Sequence, residues 1–566
     1  GKKIEMEEQK KIEGSSGSVK TKAHDMASKQ RDISVAEFFA KNRHLLGFDN
    51  KRKALLTTVK EAVDNSLDAC DDARILPEVS VEIIEMGEDR YRLVIADNGP
   101  GIMKNQIPKI FAKLLYGSKF HSMKQNRGQQ GIGISASVMY AQLTTGRPAK
   151  ITSKIHRDEP AHYYELHIDT KTNKPDVKET KTVEWTQDHG TKIELDLEGT
   201  YQKGPQSVDE YLKQTAIINP YVNIVYTNPK AEQVIFARAT DQIPEESKEI
   251  KPHPYGVELG MLIDMLKSTE FRTVQAFLTN EFSRVGSGTA KQICENAALL
   301  PGTRPDDMTR DMVEHLANGI KKTKLIAPPT DCLSPIGAEG VEKGLRKEIN
   351  AEFYTSVSRP PSVYRGNPFI IEVGLAYGGA QDAQSQINIL RFANKVPLLY
   401  QQGACAISKS IIGINWRSYG LSQSQGALPA GPLTVLVHMA SVWVPFTSES
   451  KEALAHYPEI IKEIKLALQE CGRKLGSYVN KKKRVGFELK KRSFIEKYIP
   501  HVVSSLKELV GSQGFSEAVV RQRLEEILEK KRGKLDEVGF DENANEDYDE
   551  ELASIGREEG ENKDDE

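Results

Sequence analysis

Two hydrophobic periods run through the first third of the chain. Leu56, Val59, Val63 and Leu67 recur three and four residues apart, which places them on one face of a helix. Runs rich in β-branched residues at 79–85, 91–96, 163–168 and 192–197 read as strands, and Tyr91, Leu93 and Ile95 alternate along one of them. Their interleaving from about residue 34 to 225 predicts an α/β layering. Between 257 and 325 strand character fades, and Gly286, Gly288, Pro301, Gly302 and Pro305 break the pattern into short helices. Strand runs return at 369–373, 386–392 and 433–444, followed by a helix-rich stretch over 448–509 and a charged helix at 519–531. The expectation is a multidomain α+β chain. It comprises a flexible arm (1–33), an α/β domain (34–250), a helical insert (251–330), a second α/β domain with a long helical end (331–510) and a charged, disordered tail (511–566).

Length and composition agree with several domains and narrow the class. A chain of 566 residues exceeds what one core supports. Its 5 cysteines, Cys70, Cys294, Cys332, Cys405 and Cys471, stand singly, which argues against a disulfide framework or a structural zinc site. No apolar run approaches the ~18 residues of a membrane span, so a soluble, cytoplasmic protein is expected. The net charge of -2 hides an asymmetry, because residues 536–566 hold 15 acids against 2 bases, leaving +11 on the rest. A basic body suits a polyanion such as double-stranded DNA and is equally the surface of an ordinary soluble protein.

Candidate chemistry lies between residues 55 and 135, in three pieces. Glu61, Asn65 and Asp68 fall one turn apart, off the apolar face of the first helix. A carboxylate there can accept a proton from water, and a carboxamide oxygen can ligate Mg²⁺, a hard cation that travels with phosphates. Asp97-Asn98-Gly99-Pro100-Gly101 follows directly on the strand at 91–96, so Asp97 stands at a strand's carboxyl end, where α/β sheets bind ligands. The glycines allow close approach, and Asp97 could accept from an adenine amino group. The third piece, Arg127-Gly128-Gln129-Gln130-Gly131-Ile132-Gly133-Ile134-Ser135, opens a helical pattern and supplies backbone N–H groups for an anion. It is not a Walker A loop, because no Gly-Lys-Ser/Thr closes it. Each piece alone is ordinary: a solvated helix face, a turn, a glycine loop.

Together and in this order, the pieces resemble the nucleotide-binding boxes of the GHKL ATPases. Longer stretches at 36–48, 60–69, 115–135, 391–399, 403–407 and 442–453 are similar to the topoisomerase VI B-subunit family in particular. The resemblance implies a Bergerat-type ATP-binding α/β sandwich, a helix-two-turns-helix insert and a transducer domain ending in a long helix. It implies ATP and Mg²⁺ as ligands, with Glu61 as general base, Asn65 as magnesium ligand, and Asp97, Gly101 and Thr191 at the adenine. Residues 116–130 become a lid, and Ser118, Lys119, Gly128, Gln129, Gln130, Gly131, Ile132 and Gly133 hold the phosphates. Lys451, in a loop expected to leave an apolar strand and open a helix, reaches the γ-phosphate.

The output implied is mechanical: ATP pairs two copies through their ATPase domains, and the arm at 26–48 crosses to the second copy. A DNA-cleaving A subunit completes a heterotetramer of two A and two B chains, associated with the nucleoid. The only Asp-x-Asp beside a tyrosine, Asp547-Tyr548-Asp549, lies in the tail, so this chain alone is not expected to cut DNA. Rival readings are another GHKL ATPase, such as a mismatch-repair clamp or a chaperone, and a DNA-binding scaffold with a vestigial nucleotide site. Two readings stay open for Ile460, Ile464, Leu468, Leu475 and Val479, which either face the A subunit or pack on their own domain. The runs 481–484 and 490–492 are candidate DNA contacts or solvated faces.

Overall fold

The computed structural model describes residues 22, 26, 32–117, 122–128, 132–448, 450–511 and 514–532. The expected arm at 1–33 lies almost wholly outside them, as does the acidic stretch beyond 532.

The first unit is an eight-stranded sheet covered on one face by helices. In chain order its elements are α1 (Val35–Lys41), α2 (Lys51–Asp72), β1 (Glu78–Gly87), β2 (Arg90–Asp97), α3 (Ile107–Ala112), α4 (Gly133–Thr145), β3 (Ala149–Lys154), β4 (Ala161–Asp169), β5 (Lys174–Val183), β6 (Gly190–Glu198), α5 (Val208–Ile218), β7 (Asn223–Thr227) and β8 (Gln233–Phe236). The strand order is β5-β4-β3-β6-β2-β1-β7-β8, antiparallel except for the β1–β7 pair. β1 and β2 alternate buried and exposed residues, as a sheet with one covered face requires. The cover includes α2, whose Leu55, Leu56, Val59, Val63 and Leu67 are buried. Asn50 starts α2 by accepting from the Lys53 N–H at 2.8 Å.

Residues 34–48 pack on this same unit. Ala36 is fully buried in its core, Phe48 stacks on Tyr140 at 4.9 Å, and Ser34 donates to the Thr170 carbonyl. Val35, Phe39, Ala40 and Leu46 pack against the same core, whereas Phe38 and Leu45 of the arm expected to cross to a second copy are exposed.

The helical segment holds α6 (Leu259–Ser268), α7 (Val274–Glu281), α8 (Ser287–Asn296) and α9 (Arg310–Lys322) around a core of their own. Gly286 caps α8, whereas Gly288 sits inside its first turn and breaks nothing.

The last unit comprises α10 (Ala338–Glu348), β9 (Phe353–Ser358), β10 (Ser362–Tyr364), β11 (Asn367–Tyr377), β12 (Asn388–Ala393), β13 (Val396–Pro397), α11 (Ala406–Ile412), β14 (Leu433–Ser441), α12 (Pro458–Val510) and α13 (Glu517–Arg532). Its sheet runs β10-β11-β14-β12-β13, with β9 also on β11. β14 is buried along its whole length, because both faces are covered. On one face Val435, Val437 and Met439 meet α12, and on the other Leu436 meets α10 and the end of α5.

Three expectations change here. β14 stops at Ser441 rather than 444, where the Ser441 hydroxyl accepts from the Trp443 N–H and turns the chain. The helix-rich stretch is one helix of 53 residues, and Ile460, Ile464, Leu468, Leu475 and Val479 are buried in its own domain, so they are no docking stripe. The charged helix expected at 519–531 is present as residues 517–532, but it does not belong to a disordered tail, because its Leu528 packs on Ile499 and Val503 of α12.

The two sheets meet where α10 lies on α5. A methyl group at Gly344 would stand 1.9 Å from the Ile217 carbonyl oxygen, so the helices touch backbone to backbone. Gly344→Ala must push α10 off α5, and we expect it to cost about 1–3 kcal/mol, the usual scale of overpacking. Thermal unfolding should show a lowered midpoint. A variant as stable as the parent would show that this contact is not tight.

Candidate functional site

The carboxyl end of β2, the exposed side of α2, the start of α4 and a loop of the last unit enclose one cavity of about 670 Å³. Each side contributes for a local reason.

Asp97 is the last residue of β2 and pairs in register with Thr191 on β6. Its Oδ2 accepts from the Ser66 hydroxyl at 2.7 Å, and its Oδ1 accepts from the Gly99 and Thr191 N–H groups at 2.9 and 3.1 Å. Burial raises its pKa, and these three donors work against that. Oδ2 still has a lone pair for a ligand amino group. Thr191 Oγ1 lies 3.0 Å from Ser153 Oγ, which locks the adjoining strands. Gly101 has φ +74°, and a methyl there would stand 2.0 Å from the Lys154 carbonyl oxygen, so only glycine lets the chain pass.

Glu61 and Asn65 line the same cavity from α2. The Glu61 carboxylate rests on the first residue of α4: a methyl at Gly133 would lie 1.7 Å from Glu61 Oε2. Among the described residues no side chain caps the start of α4, and Gly128, Ile132 and Gly133 all line the cavity. The N–H groups of that helix end, which have no partner within the helix, adjoin the space in front of Glu61. Ser118, Lys119, Gln129, Gln130 and Gly131 lie outside the described residues.

Lys451 reaches the cavity from the last unit. It sits in a tight loop closed by the Phe446–Leu454 bridge, with φ +53°. The loop does not open a helix directly, since α12 begins at Pro458. Glu452 anchors it to α2, meeting Lys53 Nζ at 2.6 Å and the Gln401 amide at 2.7 Å. Burial works against the Lys53 ammonium, but Glu452 and Asp49 together leave its pKa raised.

Sequence reasoning missed this Lys53–Glu452 pair and two buried groups below the cavity. Arg127 is buried, with Nη1 on Asp68 at 3.0 Å and on Asp71 at 2.8 Å. Asp64, one turn beyond Glu61, accepts from the Tyr211 hydroxyl at 2.7 Å. Desolvation pushes its pKa up to about 7, against the pull of Lys60. Only the spacing of Asp64 from Glu61 could have drawn attention to it.

Residues 50–198 match the family described as histidine kinase-, DNA gyrase B-, and HSP90-like ATPases. Residues 328–491 match the topoisomerase VI B subunit transducer. The B subunit of the type 2 DNA topoisomerase 6 from Methanococcoides burtonii is 52% identical over 487 residues, 86% of this chain and 78% of that protein. The chain belongs to that family. Other topoisomerase 6 B subunits, from Methanosarcina acetivorans and Archaeoglobus fulgidus, are 50% and 48% identical, each over 86% of this chain and covering 79% and 81% of the relative. As a topoisomerase 6 B subunit the chain is the ATP-hydrolysing subunit of a type IIB DNA topoisomerase, and the first unit is a nucleotide-binding GHKL domain. The transducer match sets aside a mismatch-repair clamp or a chaperone. No helix among the described residues is long and apolar enough to cross a membrane.

The Asp64 pKa, raised by burial above its unfolded value, gives a pH signature. Such a group contributes stability that is present below the unfolded carboxylate pKa and is lost as pH rises through about 7. Asp64→Asn keeps an acceptor for Tyr211 and removes the titration. Its melting temperature relative to the parent should climb between pH 4 and pH 8, and a constant difference would mean that Asp64 does not titrate there.

Proposed function

We propose that this cavity holds ATP with its adenine at Asp97, Gly101 and Thr191 and its terminal phosphate between Glu61, the start of α4 and Lys451. The observation that carries the reading is convergence: a lysine from the transducer and an uncapped helix end from the ATPase domain line the same space as Glu61. Glu61 accepts the proton of the attacking water, and the N–H groups at Ile132 and Gly133 take up charge on the phosphates, beside Gly128, whose own N–H donates to Asp68 at 3.4 Å. Lys451 adds one ammonium at the γ-phosphate. Ser118, Lys119, Gln129, Gln130 and Gly131 belong to the same phosphate-holding loop by the family resemblance.

Asn65 fits Mg²⁺, since it lines the cavity one turn from Glu61 and offers a hard carboxamide oxygen. Asn65 would hold the cation, which would supply positive charge to offset that of the phosphates.

ATP then acts as a gate: two copies pair through their ATPase domains, and Lys451 ties the angle of the transducer to the presence of the γ-phosphate. On this reading the chain divides at about 250, 330 and 510 into ATPase domain, helix-two-turns-helix domain, transducer and tail. Double-stranded DNA is the polyanion that the basic body meets, with 481–484 and 490–492 among its contacts. DNA cleavage falls to a separate A subunit in a heterotetramer at the nucleoid. We place the A subunit on the distal half of α12. There Phe487, Phe494, Tyr498, Val502 and Leu509 are exposed at spacings of seven and four residues, along one helix face. That stripe replaces the residues 460–479 that the transducer core covers.

Glu61→Ala should retain nucleotide binding and lose ATP hydrolysis by at least ~100-fold, the scale of a positioned base. Turnover close to the parent's would remove Glu61 from the role. For the docking face, Phe494→Glu with Tyr498→Glu should abolish co-elution with the A subunit in size-exclusion chromatography while leaving nucleotide binding intact. Unimpaired co-elution would place the A subunit elsewhere.

A further inference from the structure

A second point of the transducer enters the ATPase domain, away from Lys451. The turn between β12 and β13 carries Asn394 and Lys395, both with positive φ (48° and 64°), so its tip is held in an unusual form. Lys395 is 5% exposed although it carries an ammonium. Its Nζ donates to Ser334 Oγ at 3.1 Å, stands 3.9 Å from Asp71 Oδ2 and lies 5.9 Å from the centre of the Tyr221 ring. Its backbone N–H donates to His438 Nε2 on β14, and His438 Nδ1 meets Glu372 on β11 at 2.7 Å. The turn is thus seated on the transducer sheet at one end and inserted among ATPase-domain charges at the other.

Those charges belong to the phosphate loop. Arg127, the residue before Gly128, shares Asp71 with Lys395, and its Nη2 donates to Asn219 Oδ1 at 2.6 Å and to the Tyr221 hydroxyl at 3.0 Å. Asn219 in turn donates to the Lys395 carbonyl at 3.4 Å. The residues before Arg127 are tied the same way: the Asn394 amide donates to the Asn126 carbonyl at 3.1 Å, and Gln125 exchanges side-chain bonds with the Ser334 backbone. Arg127 Nε and Asp71 Oδ1 are buried without a hydrogen-bond partner among the described residues, so the network holds unused donor and acceptor capacity and can rearrange.

We infer that Lys395 is a positioning residue for ATP hydrolysis: through Asp71 and Arg127 it sets the backbone at Gly128, so that the phosphate loop is held in working geometry only while the transducer sheet is seated. This rests on the reading of Gly128–Gly133 as the phosphate-holding segment, and it is a linkage separate from Lys451. A merely structural plug would also be buried, but it would not need this charge.

The test uses the full chain and compares Lys395→Met, Asp71→Asn, their double variant and Lys395→Arg. Lys395→Met should lower kcat for ATP about tenfold, a coupling of the usual size, with KM within about threefold of the parent. Asp71→Asn should give a similar loss, and the double variant should lose no more than either single one. Lys395→Arg should restore most of the turnover. The groups facing Lys395 are Asp68 and Asp71 on α2, Arg127, Tyr221, Glu372 on β11 and His438 on β14, and burial lowers its pKa to about 8. Parental turnover should therefore fall as pH passes about 8, where Lys395 sheds its proton, and Lys395→Arg should hold to higher pH. Turnover of Lys395→Met within twofold of the parent, additive losses, or identical alkaline limbs for the parent and Lys395→Arg would each overturn the assignment. A failed Glu61→Ala prediction with these results intact would instead remove the base and leave the linkage standing. If Lys395→Met does not fold, the pH comparison of the parent with Lys395→Arg decides alone.

Discussion

The contact between Gly344 and the Ile217 carbonyl oxygen sets the separation of the two sheets. Any side chain at that point would wedge α10 away from α5, and with it the apolar layer of Ile217, Ile218, Val341, Leu345, Phe392 and Leu436. The loop carrying Lys451 leaves β14, and the turn carrying Lys395 joins β12 to β13, so both inherit their positions from the sheet that this layer seats. A shift of one ångström there would be felt at both charges, because protein interiors transmit displacement rather than absorb it.

Charge pairing across the same junction explains why the arrangement holds without large apolar surfaces at the site itself. Lys53 and Glu452 come from different units, as do Asp71 and Lys395, and each member is at least four-fifths enclosed. Removing one member of either pair would leave its partner enclosed and unpaired, which costs more than an exposed pair ever contributes. Asp97 shows the same logic within one unit: three donors work against a burial that still leaves its pKa raised.

Legibility in the sequence followed locality. The stripe on α2, the placement of Asp97 at a strand end and the helix that opens after the glycine-rich segment depend on neighbours a few residues away, and they emerge at the expected places. β5 went unseen because Lys-Pro-Asp-Val-Lys-Glu-Thr-Lys-Thr-Val is almost wholly exposed and exists as a strand only through pairing with β4. Residues 460–479 show the limit of periodicity: it identifies an apolar face but not the surface that covers it. Lys395, in an Asn-Lys turn, has the local signature of a solvated residue. Its burial is created by Tyr221, Asp71 and Ser334, none of them near it in the chain. Lys53 and Glu452 are equally silent until the two units are brought together.

The distal part of α12 is a beam clamped at one end. After Val479 no residue of this helix is buried until Arg492, and among the described residues the far end is braced by α13. From Val479 to Val510 the helix extends roughly 45 Å at 1.5 Å per residue. By simple leverage, a tilt of about 10° at the clamp would sweep its tip through roughly 8 Å, on the order of the spacing between packed helices. A helix this long converts a rotation too small to disturb the transducer core into a displacement large enough to separate bodies attached to its ends, and its stiffness sets how much of that travel survives a load.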